Sequence, residues 1–222
     1  MKRCAAGGDC PVLSEQICVN CGPAGIGLRG PLLHNNQIHM NDLTTNWIFG
    51  YGSLIWRPSF DFVHAQPVLL RGWQRRFWQG SPDHRGTPIA PGRVVTIVEQ
   101  AGAECWGMGF NITGFETEKI LSELDIRESG GYVRLPVQIE FSDGSHTEAL
   151  TYFAPPENPN YLGPAPLAQM SEQIHSSVGK SGRNAEYVMR LAKALREYDL
   201  PDDEVRALDS SVRQVSDKSG HG

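Results

Sequence analysis

The sequence predicts an α+β fold, a strongly curved sheet or small barrel with helices packed outside it. Three observations carry that prediction. Between residues 47 and 110, short apolar or aromatic runs alternate with clusters of Gly, Pro, Asp and Ser, the spacing of successive strands. Residues 132–153 form two alternating runs around Asp143-Gly144, a hairpin turn signal. After a proline-punctuated loop, apolar residues recur at helical spacing up to Val212. Strands thus come mostly first and helices mostly afterwards, an order that favours α+β over a βαβ alternation.

Taken in order, the expected strands are Trp47–Phe49, Pro67–Arg71, Gln74–Gln79, Arg93–Glu99 and Cys105–Phe110. Phe115–Leu124 reads as a helix with Ile120, Leu121 and Leu124 on one face and Thr113 as a candidate cap. Tyr132–Phe141 and His146–Phe153 are the hairpin strands. Pro155, Pro156, Pro159, Pro164 and Pro166 mark the loop. A helix follows with Leu167, Met170, Ile174 and Val178 on one face, ended by Gly179. Asn184 is a candidate cap for a helix with face Tyr187, Leu191, Leu195 and Tyr198. Val205, Leu208 and Val212 define a last amphipathic stretch. Cys105, beside Trp106 in an apolar run, reads as a buried core thiol.

Length and composition narrow the function classes. With 222 residues the chain fits one domain plus appendages: an extension over 1–45, a domain over 46–215 and a tail over 216–222. Net charge −5 argues against a nucleic-acid partner held by phosphate neutralisation. No apolar run approaches the ~20 residues of a membrane helix. Residues 1–45 carry Lys2 and Arg3 without a signal-like apolar run, and Asp9 and Glu15 fit a transit peptide poorly, so the expected location is the cytoplasm. The extension is rich in Gly, Asn and Pro and is expected to be disordered. Its Cys4, Cys10, Cys18 and Cys21 include a single C-x-x-C; zinc is the alternative reading, but two paired spacings are absent and no metal is expected.

Chemistry concentrates in two segments. Trp47-Ile48-Phe49-Gly50-Tyr51-Gly52-Ser53-Leu54-Ile55-Trp56 is an apolar strand that breaks into two glycines bracketing a tyrosine. Such a loop lets backbone N–H groups approach a carboxylate or an oxyanion closely; otherwise it is a glycine-weakened strand or bulge. Leu124-Asp125-Ile126-Arg127-Glu128-Ser129-Gly130-Gly131-Tyr132-Val133-Arg134 sets a carboxylate just before a Gly-Gly turn. Gly179-Lys180-Ser181 imitates the end of a phosphate-binding loop, but position 174 is Ile where that motif needs Gly, and nucleotide binding is rejected. Asp83-His84-Arg85-Gly86 is a structural loop or pocket wall, because the seven histidines show no paired ligand spacing.

Together these two segments resemble the ChaC-like family of γ-glutamylcyclotransferases, the branch that acts on glutathione. Arg75-Arg76-Phe77-Trp78-Gln79-Gly80-Ser81, Pro91-Gly92-Arg93-Val94-Val95-Thr96, Asn158-Pro159-Asn160-Tyr161-Leu162-Gly163-Pro164-Ala165-Pro166 and Ser181-Gly182-Arg183-Asn184 extend the resemblance over residues 46 to 200. The resemblance implies the small mixed β-barrel of the γ-glutamylcyclotransferase-like fold. It also implies a lyase reaction without cofactor. The α-amine of a γ-glutamyl group attacks its own γ-carbonyl, 5-oxoproline forms, and Cys-Gly leaves. Glu128 falls on the family's catalytic glutamate, and Ile48, Phe49, Gly50, Tyr51, Gly52 and Ser53 on its substrate-binding loop.

The residue types suit that chemistry. Ring closure by a tethered nucleophile can recover about 7–11 kcal/mol of barrier once the substrate is folded back. The ammonium must lose a proton, and an ordinary Glu near pKa 4.3 is about 5 kcal/mol short of an amine near 8. A glutamate at a helix C-terminus, where the macrodipole disfavours its charge, is better matched. The plainer reading pairs Glu128 with Arg127 or Arg134. Arg76, Arg93 or Arg134 could hold a substrate carboxylate, and Tyr132 and Tyr161 could donate hydroxyls, although buried structural roles suit both better. Two other functions remain open at this point: the same chemistry on other γ-glutamyl compounds, and a non-catalytic ligand-sensing adaptor. No obligate protein partner is evident.

Overall fold

The computed structural model describes residues 45–112, 114 and 116–219. Cys4, Cys10, Cys18 and Cys21, with the expected disorder of their segment and the zinc alternative, lie outside the described residues. So do Thr113 and Phe115.

Five strands close a barrel in the order β1-β3-β2-β4-β5: β1 (Trp47–Gly50), β2 (His64–Ser81), β3 (Gly92–Asn111), β4 (Val133–Glu140) and β5 (His146–Phe153). All neighbours are antiparallel except β1 and β5, which close the barrel in parallel through Ile48 and Leu150. The expected mixed barrel is what forms. The four short runs expected between 67 and 110 are instead two strands of 18 and 20 residues. They stay paired through register shifts at Arg71/Trp73 and Arg76/Gln79. Gly72 takes φ 79° at the first shift, a value that favours glycine. Bulges increase local twist, so the punctuation read as strand ends bends the two strands around a closed barrel.

The Asp143-Gly144 hairpin is present, with Gly144 at φ 81° and Asp143 Oδ1 accepting from Ser145 N at 2.9 Å. Helix α1 (Thr117–Arg127) buries Ile120, Leu121 and Leu124. Helix α2 (Leu167–Ser176) buries Met170 and Ile174, while Leu167 and Val178 are exposed. It ends before Gly179, which belongs to the two-residue strand β6 (Val178–Gly179), paired with β7 (Gly182–Arg183). The Gly179-Lys180-Ser181 decoy is the tip of this hairpin. Lys180 N and Ser181 N donate to the carbonyls of Asp83 and His84, clamping the 83–86 loop.

Helix α3 (Asn184–Glu197) buries Tyr187, Leu191 and Leu195 but leaves Tyr198 exposed. Asn184 does not cap it. Its Oδ1 accepts from Arg93 N at 2.6 Å and its Nδ2 donates to Arg93 O at 2.8 Å, so the amide stitches α3 to β3. Helix α4 (Asp203–Ser219) buries Val205, Leu208 and Val212 and continues past residue 215. Cys105 is 1% exposed, and burial pushes its thiol up to about 11.

Candidate functional site

One end of the barrel opens into a cavity lined by Phe49, Tyr51, Gly52, Ser53, Leu54, Val95, Glu128, Tyr132, Thr151, Tyr152 and Tyr187. The two sequence segments singled out above therefore meet. β1 enters the core with Ile48 and Phe49 each 1% exposed, then breaks at Gly50. A Cβ at Gly50 would sit 2.8 Å from Leu54 Cβ, so only glycine lets the chain fold back this closely. The 3₁₀ turn Ser53–Ile55 follows, and its hydrogen bonding begins with Ile55 N donating to Gly52 O at 3.1 Å. The N–H groups at the head of such a turn, at Gly52, Ser53 and Leu54, are the ones a helical start leaves for other acceptors.

A buried cation holds that loop. Arg75, 1% exposed, donates from Nε to Tyr51 O at 2.7 Å and from Nη2 to Trp106 O, while Nη1 pairs with Asp202 Oδ2 at 2.5 Å. In a trans peptide the carbonyl and the next N–H point oppositely. Drawing the Tyr51 carbonyl toward Arg75 thus turns the Gly52 N–H away from it. Tyrosines frame the rest of the site. Tyr51 donates to Tyr152 O at 2.6 Å, Tyr132 to Val95 O at 2.6 Å, and Tyr152 to Asp125 Oδ1 at 2.7 Å. Burial, with the nearby Glu128 charge adding to it, raises the Tyr51 phenol well above its usual value and keeps it neutral.

Glu128 stands at the C-cap of α1, its N–H donating to Leu124 O at 2.8 Å. Its side chain is 20% exposed and 3.3 Å from Arg127 Nε. Burial raises the carboxyl above the ordinary glutamate value, and Arg127 opposes that rise. The Gly-Gly turn beyond is pinned by Asn158, whose Nδ2 donates to Gly131 O at 2.9 Å and to Gln79 Oε1 at 3.0 Å. Arg127 also reaches across to the first segment, with Nη2 donating to Ser53 Oγ at 2.7 Å. A base of raised pKa thus faces a loop of backbone donors, with one guanidinium joining them. That arrangement can remove a proton from an amine while holding an oxyanion or a carboxylate.

Of the residues singled out, Glu128, Phe49, Tyr51, Gly52 and Ser53 line the cavity, as does Tyr132. Ile48 and Gly50 do not. Ile48 faces a smaller apolar cavity with Ile112, Leu121 and Leu150, and Gly50 packs on Leu54 and Phe110. The three arginines suggested for carboxylate binding are committed elsewhere. Arg76 pairs with Glu204, Arg93 bonds Gln173 and two carbonyls, and Arg134 pairs with Asp125 at 2.5 Å. Tyr161 meets Trp78 edge to face and does not line the cavity. Thr151, Tyr152 and Tyr187 are cavity residues that sequence reasoning did not place there. Arg75 was missed as well, although an arginine in register with Trp73 and Phe77 on one face of a strand is a signal of a buried, paired charge. No cluster that could hold a metal ion occurs among the described residues, and no helix among them is long and apolar enough to cross a membrane.

Comparisons with known proteins show the family and match the fold. The sequence profile of the family described as ChaC-like protein matches residues 46–215. Glutathione-specific gamma-glutamylcyclotransferase 1 of Danio rerio is 43% identical over 155 residues, 68% of this chain and 79% of that protein. The Homo sapiens protein of the same name is 45% identical over 150 residues, 66% and 68% of the two chains. The crystal structure of a gamma-glutamyl cyclotransferase specific to glutathione from yeast superposes with TM-score 0.72 at 26% identity, covering 76% of this chain and 95% of that one.

Proposed function

The chain belongs to the ChaC-like family, and from that premise we propose that it is a glutathione-specific γ-glutamylcyclotransferase, a lyase that converts glutathione to 5-oxoproline and Cys-Gly. The observation that carries the reading is the meeting of Glu128 with the Gly52–Leu54 donors in one cavity. The names of the relatives support glutathione as the substrate.

The geometry supports the following roles. The γ-glutamyl group enters the tyrosine-lined end of the cavity. Backbone N–H groups of the Gly52–Leu54 turn receive its anionic oxygens, with Ser53 Oγ held toward them by Arg127. Glu128 accepts a proton from the α-ammonium; burial has raised its pKa toward that of the amine. The freed amine attacks the γ-carbonyl, and the tetrahedral oxyanion forms where the turn's donors point. Collapse breaks the C–N bond to Cys-Gly as Glu128 gives its proton to the departing nitrogen, and the second proton of the attacking nitrogen then passes through the Glu128 carboxylate to the Cys-Gly amine, leaving the neutral lactam. Atoms balance without water, metal or redox partner. A small-molecule enzyme of the cytoplasm, with no nucleic-acid, membrane or obligate protein partner, is part of the same reading.

The test is release of 5-oxoproline and Cys-Gly in equal amounts from glutathione by the purified chain. Equal rates on γ-glutamylalanine would move the assignment to a broader γ-glutamyl cyclotransferase. No release from any γ-glutamyl compound would leave a ligand-sensing role.

A further inference from the structure

Three arginines stand beside the cavity, each tied to a residue that lines it. Arg127 forms one side, bonded to Ser53 Oγ and donating from Nη1 to the Arg57 carbonyl at 3.1 Å and to Ser59 Oγ at 2.6 Å. Arg57 is rooted one turn beyond Ser53, its N–H donating to Ser53 O at 2.9 Å. Its side chain is exposed and has no ion-pair partner among the described residues. Arg85 approaches from the 83–86 loop, its guanidinium 5.7 Å over the ring of the cavity residue Tyr187. Its nearest carboxylate, Glu186, is 3.9 Å away and half exposed.

These cations press on one another. Burial is what chiefly lowers Arg127 and Arg85, and the Arg57 charge lowers each of them a little further. The nearby acid Asp83 is already paired with Lys180 at 3.0 Å. In a chain of net charge −5, three arginines grouped beside the cavity raise the local positive potential, which favours an anion there. Arg76, Arg93 and Arg134 are held by internal partners, and Arg127 and Arg85 are bonded too, Arg85 Nη1 donating to Arg183 O at 3.1 Å, so the exposed Arg57 is the group of this cluster left to receive a carboxylate.

We propose that Arg57, supported by Arg85 and Arg127, forms a carboxylate subsite that takes the C-terminal carboxylate of the dipeptide leaving group and so selects a tripeptide ending in a free acid. The inference rests on the function proposed above and names the end of the substrate that the catalytic floor does not read. Two residues extend at most about 7 Å from the γ-carbonyl. A long side chain rooted about 5 Å from Ser53, one helical turn on, covers that span. Guanidinium forks match a carboxylate in plane, which a neutral amide end cannot reproduce.

The experiment compares glutathione with its C-terminal glycinamide, the same tripeptide with a neutral end, using 5-oxoproline release by the wild type, Arg57→Gln and Arg57→Lys. The wild type should prefer the acid by about tenfold or more in kcat/KM, a fold typical of a hydrogen bond to a charged group. Arg57→Gln should collapse that preference, chiefly through the KM for the acid, and Arg57→Lys should restore most of it. An unchanged thermal midpoint would show that the exposed substitution leaves the fold intact. A preference that survives Arg57→Gln, or a wild type that turns over acid and amide equally, would overturn the subsite while leaving the cyclotransferase intact. A wild type inactive on both would overturn the function and the subsite together.

Discussion

Replacing Glu128 with Gln separates chemistry from fold. Gln keeps the side chain's volume and its hydrogen-bonding capacity but cannot accept the ammonium proton. Loss of a positioned base removes roughly 10²–10⁴-fold in rate, so kcat for 5-oxoproline release should fall by that factor while glutathione still binds. Stability should move the other way or hardly at all. The Arg127–Glu128 pair, with side chains 24% and 20% exposed, is worth about 0–1 kcal/mol. A carboxylate at the C-terminal end of α1 costs about 0.3–1 kcal/mol against the helix dipole. The two nearly cancel, and the thermal midpoint should stay within about 2–4 °C of wild type. The pH dependence sharpens the test. Burial raises the Glu128 carboxyl in the folded state, so the wild type loses stability as pH rises from the unfolded carboxylate value through the folded one. The Gln variant lacks that loss and should gain on the wild type toward neutral pH. In the wild type kcat should climb with pH as Glu128 ionises in the complex, on the alkaline side of an ordinary glutamate, and that limb should vanish in the variant. A folded Glu128→Gln protein that releases 5-oxoproline at the wild-type rate would refute the assignment of the base.

Further perturbations address what holds the site. Asp202→Asn preserves the cap on Val205 N, which Oδ1 accepts at 2.9 Å, but leaves Arg75 charged and buried without its partner. It should cost about 3 kcal/mol in urea unfolding, and a loss below about 1 kcal/mol would show that the pair is not what stabilises the region. At Gly131, φ is 105° and an added Cβ would lie 2.4 Å from Asn158 Oδ1, so Gly131→Ala should lower stability by about 1–3 kcal/mol and reduce kcat by displacing the turn after Glu128. Gly144→Ala, at φ 81° with open space around it, should cost about 1–2 kcal/mol and leave kcat unchanged; equal kcat for both variants would separate the Gly131 turn from catalysis. Deleting residues 1–44, which precede the family match at 46, should leave kcat/KM within about a few-fold.

Alternation and spacing reveal local periodicity, which placed the hairpin and the α1 face but overran the ends of α2 and α3, where Leu167, Val178 and Tyr198 are exposed. Asp143-Gly144 needed only the two strands beside it, and Ile120, Leu121 and Leu124 share a helix face whatever lies opposite. The lengths of β2 and β3 were not legible, because a glycine that ends a strand and a glycine that bulges one look alike in sequence. Their partner's register decides, and at the two shifts that is set 15 to 33 residues away. Asn184 illustrates the same limit: its side chain suits a helix cap, yet the backbone of Arg93 offers it two bonds instead of one. At the site, Glu128 and the Gly50–Ser53 break were legible because their chemistry is written in adjacent residues. Tyr187 and Thr151 come from distant elements that only barrel closure brings to the cavity, and the arginines could be sorted only after their internal partners were known.

The pairing of Arg75 with Asp202 also bears on how the protein is made. The two residues are 127 positions apart, and the guanidinium that orients the Tyr51 carbonyl finds its counter-ion only just before the last helix. At about 5–20 residues per second a ribosome needs roughly 6–25 s to add that span. Over that interval the emerging barrel strands hold a cation whose burial is uncompensated, and this opposes early closure around Arg75. The loop that receives substrate is therefore set late in synthesis, when the C-terminal segment docks. A nascent or C-terminally truncated chain can hold most of the barrel's strands and still lack a finished site.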